Sequence, residues 1–189
     1  MAEDLNARIG DPDGAWSFDV TADPAWDDAL PAWRRIVAEV GAAAAPRVAE
    51  ALAEAGVLAP AEIALLLATD DDVRELNRDW RDKDAATNVL SFATWWDDDC
   101  PAPPAGAPLP LGDIAVARET LFAEAADGGL APDHHFAHLL LHGVLHLLGY
   151  DHQEADEAEA MEALETRLLA GLGIADPHAA ALLHGDGDD

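Results

Sequence analysis

The sequence predicts an α+β fold in which a small mixed β-sheet is packed with several helices and a metal-binding helix lies at the centre. Three observations carry this. The periodic segments run in the order strand, helices, strand, helix, two strands, three helices. The chain has 189 residues, enough for one domain with a proper core, and half of them are hydrophobic. A helix opened by Pro132-Asp133 and closed by Gly149 carries a run of histidines among leucines, which places it centrally and largely buried.

In chain order, residues 1–13 are polar with Gly and Pro and read as mobile, as do 185–189; the rest of 1–189 forms the single domain. Trp16 to Thr21 alternates apolar and polar, the period of a half-buried strand. Residues 26–41 place Trp26, Leu30, Trp33, Val37 and Val40 on one helical stripe. A second, alanine-rich helix begins near Pro46, which suits a first turn, and ends before Gly56. Glu62 to Ala68 reads as a strand. Asp70, Asp71 and Asp72 bring negative charge to the start of the next helix, whose inner face is Val73, Leu76 and Trp80. Thr87 to Trp95 contains a strand, and 97–110 is a proline-rich surface loop in which proline prevents pairing. Ile114 to Ala117 is a short strand and 118–127 a helix. After His152, Met161, Leu164, Leu168 and Leu172 mark an amphipathic helix ended by Gly173; Glu154, Asp156 and Glu157 are its solvated face.

The stretch that matters most runs from His142 to His152. His142 and His146 lie one turn apart on one face of the helix. Gly149 ends the helix in a left-handed turn that returns His152 toward them. Three imidazoles with a fourth position left for water are the ligand count of a catalytic zinc site, one ion per chain. His134, His138, His142 and His146 also recur every fourth residue, so spacing alone permits a set of His138, His142 and His146. Steps of four drift by roughly 40° each around a helix, which makes that set converge poorly. The spacing H-x-x-x-H-x-x-G-x-x-H matches that of metzincin proteases, but Gly143 stands where those enzymes place their glutamate base.

The motif His142-Gly-Val-Leu-His-Leu-Leu-Gly-Tyr-Asp-His152 resembles the signature of the YbeY family of bacterial endoribonucleases and rRNA maturation factors. Asn77-Arg78-Asp79-Trp80-Arg81 with Thr87-Asn88-Val89-Leu90-Ser91-Phe92, and Gly112-Asp113-Ile114, resemble two further family segments, so the likeness runs from about residue 60 to about 178. It implies a single-strand-specific, zinc-dependent endoribonuclease acting in ribosomal RNA maturation and ribosome quality control, with ribosomal RNA and the small ribosomal subunit as partners. It also implies that Arg81 is the catalytic cation. Composition alone would leave Arg81 in a surface ion pair with Asp79 or Asp82.

Charge bears on this. Thirty-eight acids against ten bases give a net charge of −28, and phosphate binding is driven by Lys and Arg. Five of the bases, Arg74, Arg78, Arg81, Lys83 and Arg118, fall between residues 74 and 118, a local strip for a single strand. Arg78, Lys83 and Ser91 are candidate substrate contacts. Trp80, Trp95 and Trp96 can stack on bases, although tryptophans more often pack. The lone Cys100 excludes an internal disulfide, and the start of the chain has neither the basic end nor the apolar stretch of a signal peptide. With no apolar run long enough to cross a bilayer, the expectation is a cytoplasmic protein with no membrane partner. Two rival readings stand: a zinc peptidase, with Asp151 as base, and a non-catalytic ribosome-assembly module with a structural metal.

Overall fold

The computed structural model describes residues 6–95, 104, 106–150 and 154–177. It is an α+β fold: β1 (Asn6–Gly10), β2 (Trp16–Ala22), α1 (Ala25–Ala29), α2 (Trp33–Glu54), β3 (Ala61–Ala68), α3 (Asp70–Arg81), β4 (Val89–Ala93), β5 (Leu109–Ala117), α4 (Arg118–Asp127), α5 (Pro132–Leu147) and α6 (Ala155–Gly171).

The five strands lie in the order β1-β2-β3-β5-β4. The β2–β3 and β3–β5 pairs are parallel, and the outer pairs β1–β2 and β4–β5 antiparallel, so the sheet is mixed. Alternation along each strand gives the sheet two unlike faces. On one, Phe18, Val20, Ile63, Leu65 and Ile114 are buried together with α2, α5 and α6 residues. On the other, Ala68, Val73, Leu90, Ala115 and Ala117 form a small second core with α3. Helix α5 packs against α2, α4, α6, β4 and β5, which confirms the central histidine helix.

Several expectations need correction. Residues 6–10, expected to be mobile, form edge strand β1; Thr21 donates to Asn6 and Arg8 to Ser17 across the pair. The helix expected over 26–41 is broken at Leu30, because Pro31 disfavours helical geometry in the residue before it. Beyond that break the two predicted helices are one: α2 continues through Pro46. Alanines on both sides of Pro46 favour the helix strongly enough to carry it through the missing donor. Strand β5 begins at Leu109, earlier than Ile114, and includes Pro110, where the β3–β5 register shifts between Glu62 and Ile63. A bulge is where a sheet tolerates proline. Trp80, assigned to the inner face of α3, is 74 % exposed, while Val73 and Leu76 pack inward. The solvated acids of α6, Glu154, Asp156 and Glu157, are exposed as expected.

Candidate metal centre

Helix α5 ends as its sequence dictates. Gly149 takes φ +85°, its N–H donates to the His146 carbonyl, and the Tyr150 N–H reaches back to the Leu145 carbonyl. This doubled closure satisfies carbonyls the helix leaves open and fixes the chain direction after it. Trp95 adds to it by donating its indole N–H to the Leu147 carbonyl at 2.7 Å. That contact makes Trp95 a packing residue.

The two histidines one turn apart meet at their tips: His142 Nε2 and His146 Nε2 are 3.0 Å apart. Their other ring nitrogens are engaged. His142 Nδ1 lies 2.7 Å from Glu165 Oε1, and His146 Nδ1 lies 2.9 Å from the Tyr150 carbonyl oxygen. A carbonyl accepts only, and so does an ionised carboxylate, so both Nδ1 atoms carry the proton. Each neutral ring then directs its Nε2 lone pair at the other. Two acceptors at that distance repel unless a cation lies between them, and two tetrahedral ligands of one zinc sit about 3.4 Å apart. The donor set therefore suits a metal ion.

Glu165 is 1 % exposed and sits beneath the pair, accepting from His142 and lying 3.6 Å from His138 Nε2. Burial alone would push its carboxyl up. The contacts with His138 and His142 outweigh burial and hold it well below the usual carboxylate range. His138, His142 and Glu165 are themselves a group close enough to hold a metal, with ligand atoms within 4.8 Å of one another. The 2.7 Å Nδ1–Oε1 contact has the length of a hydrogen bond, and a carboxylate so placed can also orient the ring from behind a metal ligand. His152, the expected third ligand, lies outside the described residues, as do Asp151, Cys100 and Trp96.

A second layer holds the turn. The Arg47 guanidinium on α2 donates to the Tyr150 hydroxyl at 2.7 Å and lies 5.5 Å from the centre of its ring. Tyr150 in turn offers its carbonyl to His146.

Gly143 faces the sheet. A Cβ there would stand 3.1 Å from Ile114 Cδ1 and 3.1 Å from Ser91 Oγ, so α5 approaches β4 and β5 as closely as a missing side chain allows. A glutamate at this position would press on the side chains of Ile114 and Ser91, which weighs against the peptidase reading. Gly112 serves the same packing from the sheet side: its φ is +144°, and a Cβ would lie 2.1 Å from the Phe92 carbonyl oxygen.

Strand β4 is the open edge next to this helix. Arg81, at the end of α3, donates to the outward carbonyl of Ser91 at 3.2 Å, and its guanidinium lies 5.5 Å from the Phe92 ring centre. Ser91 thus touches both sides: its carbonyl holds Arg81 and its side chain meets Gly143, the neighbour of His142. The predicted basic strip is smaller than its five residues. Arg74 pairs with Asp84, Arg78 with Asp79, and Arg118 turns inward to Asp23 and Glu119. Among the described residues, Arg81 and Lys83 make no ion pair. Asn77, buried, accepts the Asp82 and Lys83 backbone N–H groups and donates to the Ala85 carbonyl, which fixes the loop that carries Lys83.

Three contributors were not singled out from the sequence: Glu165, Tyr150 and Arg47. Glu165 had a signal, an acid four residues after Met161 and three before Leu168, in the middle of an apolar stripe. Arg47 had none, because its partner lies 103 residues away.

A sequence model described as endoribonuclease YbeY matches residues 34–173. The chain is 52% identical over 155 residues to the endoribonuclease YbeY of Paramagnetospirillum magneticum, covering 82% of this chain and 90% of that one. It is 51% identical over 144 residues to that of Azorhizobium caulinodans, covering 75% and 86%. The solution structure of TM1509 from Thermotoga maritima shares the fold, with a TM-score of 0.52, 18% identity and coverage of 91% and 96%. With a family model matching most of its length and relatives of this closeness, the chain belongs to the YbeY endoribonuclease family.

Proposed function

We propose that this chain is a zinc-dependent endoribonuclease that cuts single-stranded RNA, acting in the cytoplasm on ribosomal RNA during maturation and quality control of the small ribosomal subunit. The observation that carries the reading is the facing pair of Nε2 atoms, 3.0 Å apart, beside the edge strand that holds Arg81. His142 and His146 would hold the ion, with His152 as the third ligand, Glu165 orienting His142 and the Tyr150 carbonyl orienting His146.

A zinc ion there supplies Lewis acidity, which polarises phosphate oxygens and acidifies water. Arg81 presents paired donors that fit two phosphate oxygens and meet the negative charge that builds up in the transition state. Its hydrogen bond to Ser91 holds the side chain along the edge of β4, so little ordering remains to be done when a phosphate arrives. Arg78 is engaged by Asp79, which leaves Lys83 as the second contact for the backbone of the strand. The few free cations on a chain of net charge −28 favour a single strand over a duplex with its denser phosphates.

The test is an assay on single-stranded RNA and on an unstructured peptide, each with and without chelator. Cleavage of RNA alone, abolished by chelator, is the expected result. Peptide cleavage would establish the peptidase reading. Neither substrate cleaved by protein carrying one equivalent of metal would leave the assembly module.

A further inference from the structure

The sheet face opposite α5 is only half covered by α3. Beside α3 lies a cavity of about 550 Å³ lined by Leu66, Leu76, Trp80, Phe92, Asp19 and Asp113. Its walls combine an apolar floor, two aromatic rings and two carboxylates, the make-up of a site for a flat ligand with a few polar atoms. The Trp80 and Phe92 rings form an open corner, with centroids 6.3 Å apart and planes at 57°. Trp80 leaves most of its surface in water there. Asp113 is exposed on the cavity wall, and partial burial raises its carboxyl above its ordinary range. Among the described residues Asp113 makes no ion pair or side-chain hydrogen bond.

We propose that this cavity binds a guanine base of the single strand whose phosphate rests on Arg81. The inference depends on the RNA reading above. Phe92 joins the two places, since it lines the cavity while the Arg81 guanidinium lies over its ring. A nucleotide at this rim sets its phosphate on Arg81 and turns its base inward, because two carboxylates repel phosphate from the interior. The base stacks in the Trp80–Phe92 corner. Asp113 then selects among bases. Guanine alone presents two parallel donors, N1–H and the exocyclic N2–H, that match the two oxygens of a carboxylate. Adenine and cytosine set a ring acceptor beside their amino group, and uracil sets its N3–H between two carbonyls. A basic protein segment would also suit the two acids. It would, however, bring positive charge to a rim that already has Arg81 beside it.

Guanosine, inosine and adenosine titrated into the full-length, zinc-loaded protein test this, read by quenching of tryptophan emission. Guanosine should bind at least about ten-fold more tightly than inosine, which lacks N2–H, and than adenosine. Trp80→Phe should remove most of the quenching, and Asp113→Asn should erase the preference for guanosine without lowering the melting temperature. Equal binding of guanosine and inosine to the unmodified protein, no binding at millimolar guanosine, or an unchanged preference in Asp113→Asn would overturn the proposal. So would an arginine-rich peptide that binds through Asp113 where guanosine does not. The two readings fail separately. Guanosine bound as described by a protein that cuts no RNA removes the nuclease and leaves the site, and RNA cut without regard to guanine does the reverse.

Discussion

The Arg47 guanidinium and the Tyr150 hydroxyl meet at 2.7 Å, tying the middle of α2 to the turn that holds His146. The contact lies well outside metal-ligand distance, and its effect passes through the Tyr150 backbone to the His146 Nδ1–H. Arg47→Ala should weaken zinc binding by about 10- to 100-fold, the usual cost of losing an outer partner of a metal-binding histidine. Competition against a chelator of known affinity measures it. Arg47→Lys should lose less, since it keeps one donor. Unchanged zinc affinity in Arg47→Ala would show that the turn holds its shape without α2.

Glu165 separates the two possible ligand arrangements. If it orients His142, Glu165→Gln should retain one equivalent of zinc at about 10- to 100-fold lower affinity. If it is a ligand with His138 and His142, the same change should empty the site, and His138→Ala should do so too. Metal analysis after dialysis distinguishes the outcomes.

Gly143 should resist enlargement. Alanine in mid-helix normally gains up to about 1 kcal/mol over glycine. Here its Cβ would press on Ile114 and Ser91, and Gly143→Ala should gain nothing. Gly143→Glu, which restores the protease pattern, should cost upwards of about 3 kcal/mol, since it forces a charge into a closed helix–sheet contact. Denaturant unfolding reports both, and no peptidase activity should appear.

Arg81→Ala should cut cleavage of single-stranded RNA by about two to three orders of magnitude, the loss typical of one positioned donor to developing charge. Zinc content and melting temperature should hold. Arg81→Lys should rescue in part, because an ammonium keeps the charge but not the paired donors. Wild-type rates in Arg81→Ala would reduce Arg81 to a surface residue.

Asp113 should leave a mark on stability against pH. Its carboxyl is raised in the folded state by burial, so the protonated form is favoured there. The stability linked to that shift is fully present below the unfolded value near 3.8 and is lost as pH rises through the raised folded value. At neutral pH the charged side chain is a burden, and Asp113→Asn should melt slightly higher than the wild type. The gain should vanish in acid. A lower melting point at neutral pH would mean that the acid has a structural partner.

The histidine helix was legible because its signals are local: a proline to start it, a glycine to stop it, and histidines one turn apart. The same holds for α3, where Thr69 and Asp72 cap each other as acids in a first turn lead one to expect. What escaped the sequence depends on distant partners. Strand β1 is set by pairing with β2, and polar residues 6–10 carry little of the alternation that marks a buried strand. Trp80 was assigned inward by helical spacing, but α3 covers only part of the sheet and the spacing cannot tell where that cover ends. The basic strip shrank because each arginine's partner is chosen in space: Asp84 for Arg74, Asp23 for Arg118.

The close approach at Gly143 also sets the register of the machine. Each residue along a helix turns it by about 100° and advances it by about 1.5 Å. A slip of α5 by a single position would lift the one side-chain-free spot off Ser91 and Ile114 and force a valine or a histidine into its place. The same slip would swing both histidine rings away from the β4 edge. One missing side chain therefore indexes the histidines to the strand that holds Arg81, so that a sequence change anywhere in α5 that preserves its amphipathic pattern but shifts its phase should cost folding and metal binding together.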